Sequence, residues 1–91
     1  MVLTTDILTK NGFYTNHPEK RLGSYKKFNN DYFIGVESKY KSLSNELCFN
    51  VNCWVNNNKG EILKESKLSD VKTVEELNDI IRLTNIDFKL N

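Results

Sequence analysis

The sequence predicts an α+β domain in which an N-terminal helix, a four-stranded antiparallel meander sheet and a C-terminal helix packed on the sheet follow one another. Three observations predict this order. Residues 47–55 alternate apolar and polar side chains, which is the period of a strand with one buried face. An asparagine-rich hairpin loop that ends in glycine follows at 56–60. Thr73 and Glu76 form a capping box at the start of a helical pattern.

A first helix is predicted from Leu3 to Asn11. Thr4 or Thr5 can cap its N-terminus, and Asp6 favours the first turn because a carboxylate interacts well with the positive end of the helix dipole. Gly12 is a natural C-terminal stop, since glycine adopts the left-handed conformation that ends many helices.

Three further strands are predicted around the alternating segment. Residues 21–28 form a weak candidate, because Gly23 and two lysines blur the period, and residues 32–37 form a better one. The polar residues 40–46 join that strand to the alternating segment, and residues 61–68 pair back after the hairpin. Such a meander cannot bury its apolar face alone, so we expect the helices to cover it.

The second helix carries the clearest amphipathic pattern. One face holds Val74, Leu77, Ile80, Ile81 and Thr84. Asn85 is expected to end the helix, and the alternation in residues 86–90 predicts a short tail strand. At 91 residues the chain is long enough for one core, so residues 1–91 are predicted to be a single domain.

The alternating segment also defines two rows of side chains. The inner row, predicted to centre the core, consists of Leu47, Phe49, Val51, Cys53 and Val55. Cys48 and Cys53 point to opposite faces about 16 Å apart, beyond the reach of a disulfide, so both are predicted to be free thiols in a reducing compartment. Trp54 falls on the outer row, where it is either covered by a loop or the first helix, or exposed as an anchor for a partner.

Composition excludes several classes of function. The net charge of +1 argues against a strongly electrostatic nucleic-acid binder. No apolar stretch approaches the roughly 20 residues of a membrane span, so no membrane partner is expected. The first six residues lack a basic region and a long apolar run, which predicts no signal peptide and a cytoplasmic protein.

No residue pattern indicates catalysis, a metal or a cofactor. His17 lies in a loop before Pro18 with no partner of suitable spacing, which is typical of a solvated histidine rather than an acid or base. Cys48 is a nucleophile only if a base lowers its pKa. Two cysteines and one histidine do not make a zinc site, and the acidic run from Glu75 to Asp79 is typical of a solvated helix face. The sequence therefore predicts a protein that is not an enzyme.

Basic and aromatic side chains are interleaved in the first half of the chain, where the net charge is +3 against −2 in residues 46–91. Together with Trp54, the candidate partner-binding residues are Lys20, Arg21, Tyr25, Lys26, Lys27, Lys39, Tyr40 and Lys41. Such a cluster can dock an acidic protein surface, or track a phosphate backbone while its rings stack on bases. It can equally be a solvated sheet edge, where lysines discourage aggregation.

Two segments resemble small proteins carried by phages and mobile elements of Bacteroidetes-type bacteria. Leu3–Phe13 is similar to their opening, a leucine–threonine pair, a helix and an asparagine–glycine–phenylalanine stop. Val71–Asn78 and Leu83–Asp87 are similar to their closing segment. That family commonly has histidine where this chain has Glu75, so no role of that histidine carries over. The resemblance covers roughly a third of the chain and implies a mobile-element setting, without catalytic residues.

The function that this resemblance implies is inhibition of a host defence protein by occupation of its surface, as anti-CRISPR proteins do. A CRISPR effector such as a type VI RNA-guided nuclease, or its RNA complex, is the specific partner expected, in the cytoplasm of the host cell. The alternative is a single-stranded nucleic-acid-binding module that uses Lys20, Arg21, Lys26, Lys27 and stacking rings. An enzyme of another type is the least favoured interpretation, and the oligomeric state stays open.

Overall fold

The chain forms one antiparallel sheet flanked in sequence by two helices. The computed structural model describes residues 1–16, 23–40 and 46–91. Its elements are α1 (Thr5–Lys10), β1 (Ser24–Phe28), β2 (Tyr32–Tyr40), β3 (Leu47–Asn56), β4 (Ile62–Val71) and α2 (Val74–Leu83). The strands lie side by side in the order β1-β2-β3-β4, each antiparallel to the next. The predicted α+β meander is confirmed.

The core lies between one face of the sheet and the two helices. Across β2 and β3, Ile34 lies opposite Cys53 and Val36 opposite Val51, all four buried. The helices contribute buried side chains to the same cluster, namely Leu8 from α1 and Leu77, Ile80 and Ile81 from α2. The inner row of β3 is the centre of the core, as its alternation predicts, with its two end residues partly buried.

The predicted stops and caps of α1 are present, although the helix is shorter than predicted. Thr4 caps it, with its hydroxyl oxygen accepting a hydrogen bond from the amide of Ile7 at 3.2 Å. Gly12 follows the helix with φ +85°, the left-handed conformation that suits glycine. Leu3 precedes the extended N-cap residue Thr4 and so lies outside the helix, and its amide donates to the carbonyl of Lys72 at 2.9 Å.

The capping box of α2 is confirmed at both of its hydrogen bonds. The Thr73 hydroxyl accepts from the amide of Glu76 at 3.1 Å, and the Glu76 carboxylate accepts from the amide of Thr73 at 3.1 Å. All five residues of the predicted apolar face are buried. The helix ends at Leu83, and Asn85 has φ +63°, which confirms that the chain leaves the helix here.

The strand ends differ from the predicted ones where pairing or backbone conformation overrides the pattern. β1 begins at Ser24; residues 21 and 22 of the predicted strand lie outside the described residues. β4 continues to Val71 because Asp70, with φ +59°, accommodates an extra residue: Val51 pairs with Leu68, whereas Phe49 pairs with Val71. Asp tolerates this conformation better than most residues.

The predicted tail strand is wrong. Residues 86–90 alternate in burial but join no strand. The side chain of Asn78 on α2 instead binds both backbone groups of Leu90, accepting from its amide at 2.8 Å and donating to its carbonyl at 3.1 Å. Since a side-chain amide satisfies the backbone here, Ile86 and Leu90 reach the core without a sheet partner.

The two edges of the sheet differ. At the β1 edge, Tyr14 and Lys26 exchange backbone hydrogen bonds of 2.7 and 2.9 Å, so a short segment of chain already pairs with this strand. At the other edge, nine of the ten residues of β4 are at least partly exposed.

In the described part of the chain, neither helix is long and apolar enough to cross a bilayer.

Candidate functional site: the open face of the sheet

The side of the sheet opposite the helices is uncovered by any described element. We call this surface the open face, and define it by the outward-pointing residues Ser24, Lys26, Phe28, Phe33, Gly35, Glu37, Lys39, Asn50, Asn52, Trp54, Glu65 and Lys67. All of them are exposed or only partly buried, whereas Cys48, which points to the same side, is buried. Large apolar side chains are rarely grouped on the surface of a monomeric protein, so this face is the candidate site.

Three aromatic rings form a row across the open face. Phe33 stacks on Trp54 with ring centroids 4.3 Å apart and an interplanar angle of 14°. Phe28 lies on the other side of Phe33 at 6.4 Å, and 63% of its surface is exposed. Trp54 is thus partly buried by a neighbouring ring on the open face, where its partner is Phe33 rather than a helix.

A groove of about 320 Å³ begins where the row of rings meets Gly35. The Phe33 ring leans over this glycine so closely that a Cβ there would lie 2.8 Å from a ring carbon. The side-chain oxygens of Asn50 and Asn52 are buried in the groove lining and accept no hydrogen bond from the described residues. An acceptor left without a donor costs about 1–3 kcal/mol.

The charges on the open face are of both signs. Lys26, Lys67 and Glu37 line the groove. Glu65 on β4 lies opposite Trp54 on β3. Lys39 forms an ion pair with Asp70 at 3.0 Å. The open face is therefore not uniformly basic, since two carboxylates lie among its lysines.

The predicted partner-binding residues are divided between the two faces. Lys26, Lys39 and Trp54 lie on the open face, whereas Tyr25, Lys27 and Tyr40 point to the helix-covered side. Lys20, Arg21 and Lys41 lie outside the described residues, as does the candidate acid or base His17. The side chains of neighbouring residues in a strand point to opposite faces. Residues that are consecutive in the sequence are therefore divided between the two faces of the sheet.

The ring of Tyr25, one of the candidate partner-binding residues, does not lie at the surface. Only 1% of its surface is exposed, and the ring belongs to the core. Pairing with Val36 fixes β1 so that Tyr25 faces the helices. Its neighbour Lys27 points the same way as Tyr25 and holds its ammonium 4.6 Å from the ring centroid of Phe88. This contact is a cation–π interaction within the chain.

Both cysteines are free and buried, on opposite faces as predicted. Burial raises the pKa of the Cys53 thiol, the nearby Glu65 adds to the rise, and contact with Thr84 at 3.3 Å opposes it. Cys48 lies on the outer side, 3.7 Å from the carboxylate of Asp70. A buried thiol with a raised pKa is a poor nucleophile, so Cys53 behaves as a core side chain.

Acidic side chains do not gather into a metal site in the described part of the chain, where no three His, Cys, Asp or Glu residues cluster. Glu76 instead caps α2, and Asp79 contacts Arg82 at 3.7 Å.

No protein-family model matches this chain, and no match was found among curated proteins or solved structures.

Sequence reasoning missed Phe28 and Phe33 as members of the site. The two are adjacent in space because the tight β1–β2 turn pairs them directly, and β3 then places Trp54 opposite Phe33. The turn signal at residues 29–31 was the available clue, since a short hairpin puts its flanking residues side by side. The link to Trp54 needs the register between β2 and β3.

Proposed function

We propose that this chain is a non-enzymatic binding protein that holds a protein partner on its open face. The observation that carries the proposal is the row of three rings on a sheet face that no described element covers, in which Phe28 is exposed and Phe33 and Trp54 are partly exposed. Large aromatic side chains near the centre of a contact supply much of the binding energy in protein interfaces. The row has the composition of such a centre.

The surroundings of the row favour a protein over other ligands. Glu37 and Glu65 alternate with Lys26 and Lys67, a mixed pattern that suits the polar rim of a protein interface.

The partner we propose is a host defence protein, with an RNA-guided nuclease as the specific candidate. The resemblance of Leu3–Phe13 and Val71–Asn78 to phage and mobile-element proteins supports this setting. An inhibitor of this kind acts by occupying a surface, which requires an exposed apolar face and no catalytic group.

An interference assay tests the proposal in cells that carry a type VI RNA-guided nuclease. The wild-type chain is expected to restore survival of a targeted plasmid, and the double variant F28A/W54A to lose this effect. Removing two interface rings weakens binding by about 2–4 kcal/mol, which corresponds to a loss of affinity of roughly 30-fold or more. Binding to the purified nuclease by calorimetry should fall in parallel.

The matched control is Val2→Ala, which shortens an apolar side chain that is exposed but lies off the open face. This variant should inhibit as well as wild type, and circular dichroism should show all variants folded. Interference that proceeds normally in the presence of the wild-type chain, with no binding to the nuclease, excludes this partner. Inhibition that F28A/W54A retains excludes the open face.

A single-stranded nucleic acid is the second candidate, because rings and lysines on an open antiparallel sheet suit base stacking. Two features oppose it: Trp54 already occupies one face of the Phe33 ring, and Glu37 and Glu65 repel phosphates. Fluorescence anisotropy with labelled single-stranded RNA and DNA at low salt decides the matter. Affinity that falls steeply with salt and is lost in F28A/W54A would replace the protein partner with nucleic acid.

A further inference from the structure

The outer edge of β4 is paired with no strand in the described part of the chain. β4 is the last strand of the sheet, and the side chains of Glu65 and Lys67 are exposed. Neither side chain forms an ion pair with a described residue. An edge strand of this kind presents unpaired backbone groups that a further strand can join.

The hydrogen-bonding pattern identifies which backbone groups face outward. The amide of Ser38 donates to Gly23 on the β1 side, and the amide of Asn56 donates to Asp31 on the β2 side. The direction of the backbone N–H and C=O groups alternates along each strand. The backbone groups of Cys53 therefore point to β4, where Cys53 pairs with Ser66. The backbone groups of Glu65 and Lys67 then point to the free edge.

These two residues restrict how a second copy can pair in the antiparallel sense. Two residues that exchange backbone hydrogen bonds across the new contact must both direct their backbone groups to the free edge. Ser69 alternates with these two residues but carries no charge, so the possible pairs between charged residues are Glu65 with Glu65, Lys67 with Lys67, or Glu65 with Lys67. Only the third brings opposite charges together, and twofold symmetry about Ser66 repeats it, so the edge is complementary to itself.

The helix side of the same edge has apolar surface to cover. Leu68 and Leu83 are 41% and 56% exposed and line a groove of about 340 Å³ between β4 and α2. In the register centred on Ser66, Leu68 lies opposite Lys64 of the second copy. The alkyl chain of that lysine would cover Leu68, and its ammonium would approach Glu76 and Asp79, which line the groove.

We propose that two copies of this chain associate through their β4 edges, antiparallel and centred on Ser66, into one continuous eight-stranded sheet. Glu65 and Lys67 point to the open face beside Trp54 and Asn52, so the assembly joins two open faces into one surface. The proposal does not depend on the nature of the partner bound there.

Charge reversal at the edge tests the proposal by sedimentation equilibrium over a wide range of concentrations. The wild-type chain should be in monomer–dimer equilibrium. E65K and K67E each place like charges opposite one another twice, so each should raise the dimer dissociation constant at least about tenfold. An equimolar mixture of E65K and K67E should form a heterodimer in which every facing pair is again opposite in charge.

The double variant E65K/K67E restores the facing pairs within one chain and should dimerise like wild type. K59E, which reverses an exposed charge in the hairpin loop, is the matched control and should also do so. A wild-type chain that is monomeric at its highest soluble concentration overturns the proposal. So does dimerisation that E65K and K67E leave unchanged, or that K59E weakens equally.

Discussion

At the scale of single residues, Cys53 links burial to the pH dependence of stability. Its thiol is fully buried, and burial raises its pKa above the ordinary value of about 8.5. The folded chain therefore keeps the proton over a pH range in which the unfolded chain loses it. This contribution to stability is complete below the unfolded pKa and is lost as the pH rises toward the folded pKa.

We therefore predict that the free energy of unfolding falls as the pH rises above about 8.5, with a slope of at most about 1.4 kcal/mol per pH unit from this thiol. Urea unfolding in reducing buffer at a series of pH values measures it. Cys53→Ala should lower stability at pH 7 but reduce the slope. A slope that Cys53→Ala leaves unchanged would assign the effect to another group, such as Tyr32, whose pKa burial also raises.

At the scale of the elements, the capping box is a discrete source of stability for α2. The reciprocal hydrogen bonds of Thr73 and Glu76 satisfy two amides that the helix cannot pair itself. Thr73→Ala should cost about 1 kcal/mol, which lowers Tm by about 4–8 °C in a domain of this size. Thr73→Ser keeps the hydroxyl and should stay close to wild type in thermal unfolding. Equal melting of the two variants would show that the cap contributes nothing.

At the scale of the whole molecule, the two faces of the sheet have separate roles. Phe49 is fully buried under the helices, whereas Phe28 is 63% exposed on the open face. Phe49→Ala should cost about 3–5 kcal/mol, a large part of the stability of a 91-residue domain, and Phe28→Ala at most about 1 kcal/mol. Urea unfolding measures both. Similar costs for the two substitutions would mean that the open face is part of the folding core.

The sequence predicts the features that depend on local patterns and misses those that depend on the pairing of strands. A strand period in residues 47–55 and a capping box at Thr73 are local patterns, and local patterns determine the type and order of the elements. The row of rings is not local, since it depends on the register between strands. Tyr25 shows the same limit, because pairing alone sets the phase of a short strand. The alternation in residues 86–90 predicted a strand that does not form, because the side chain of Asn78 takes the place of a strand partner.

The pairing of Tyr14 with Lys26 has a consequence for polymerisation. A sheet that is open at both edges can recruit copies without end, because every copy added presents a new edge, and fibres grow in this way. Here the β1 edge is already engaged at its middle by the chain's own Tyr14. If two copies pair through β4 as proposed, each outer edge of their joint sheet would be a β1 strand engaged by Tyr14, which would hinder growth into a fibril.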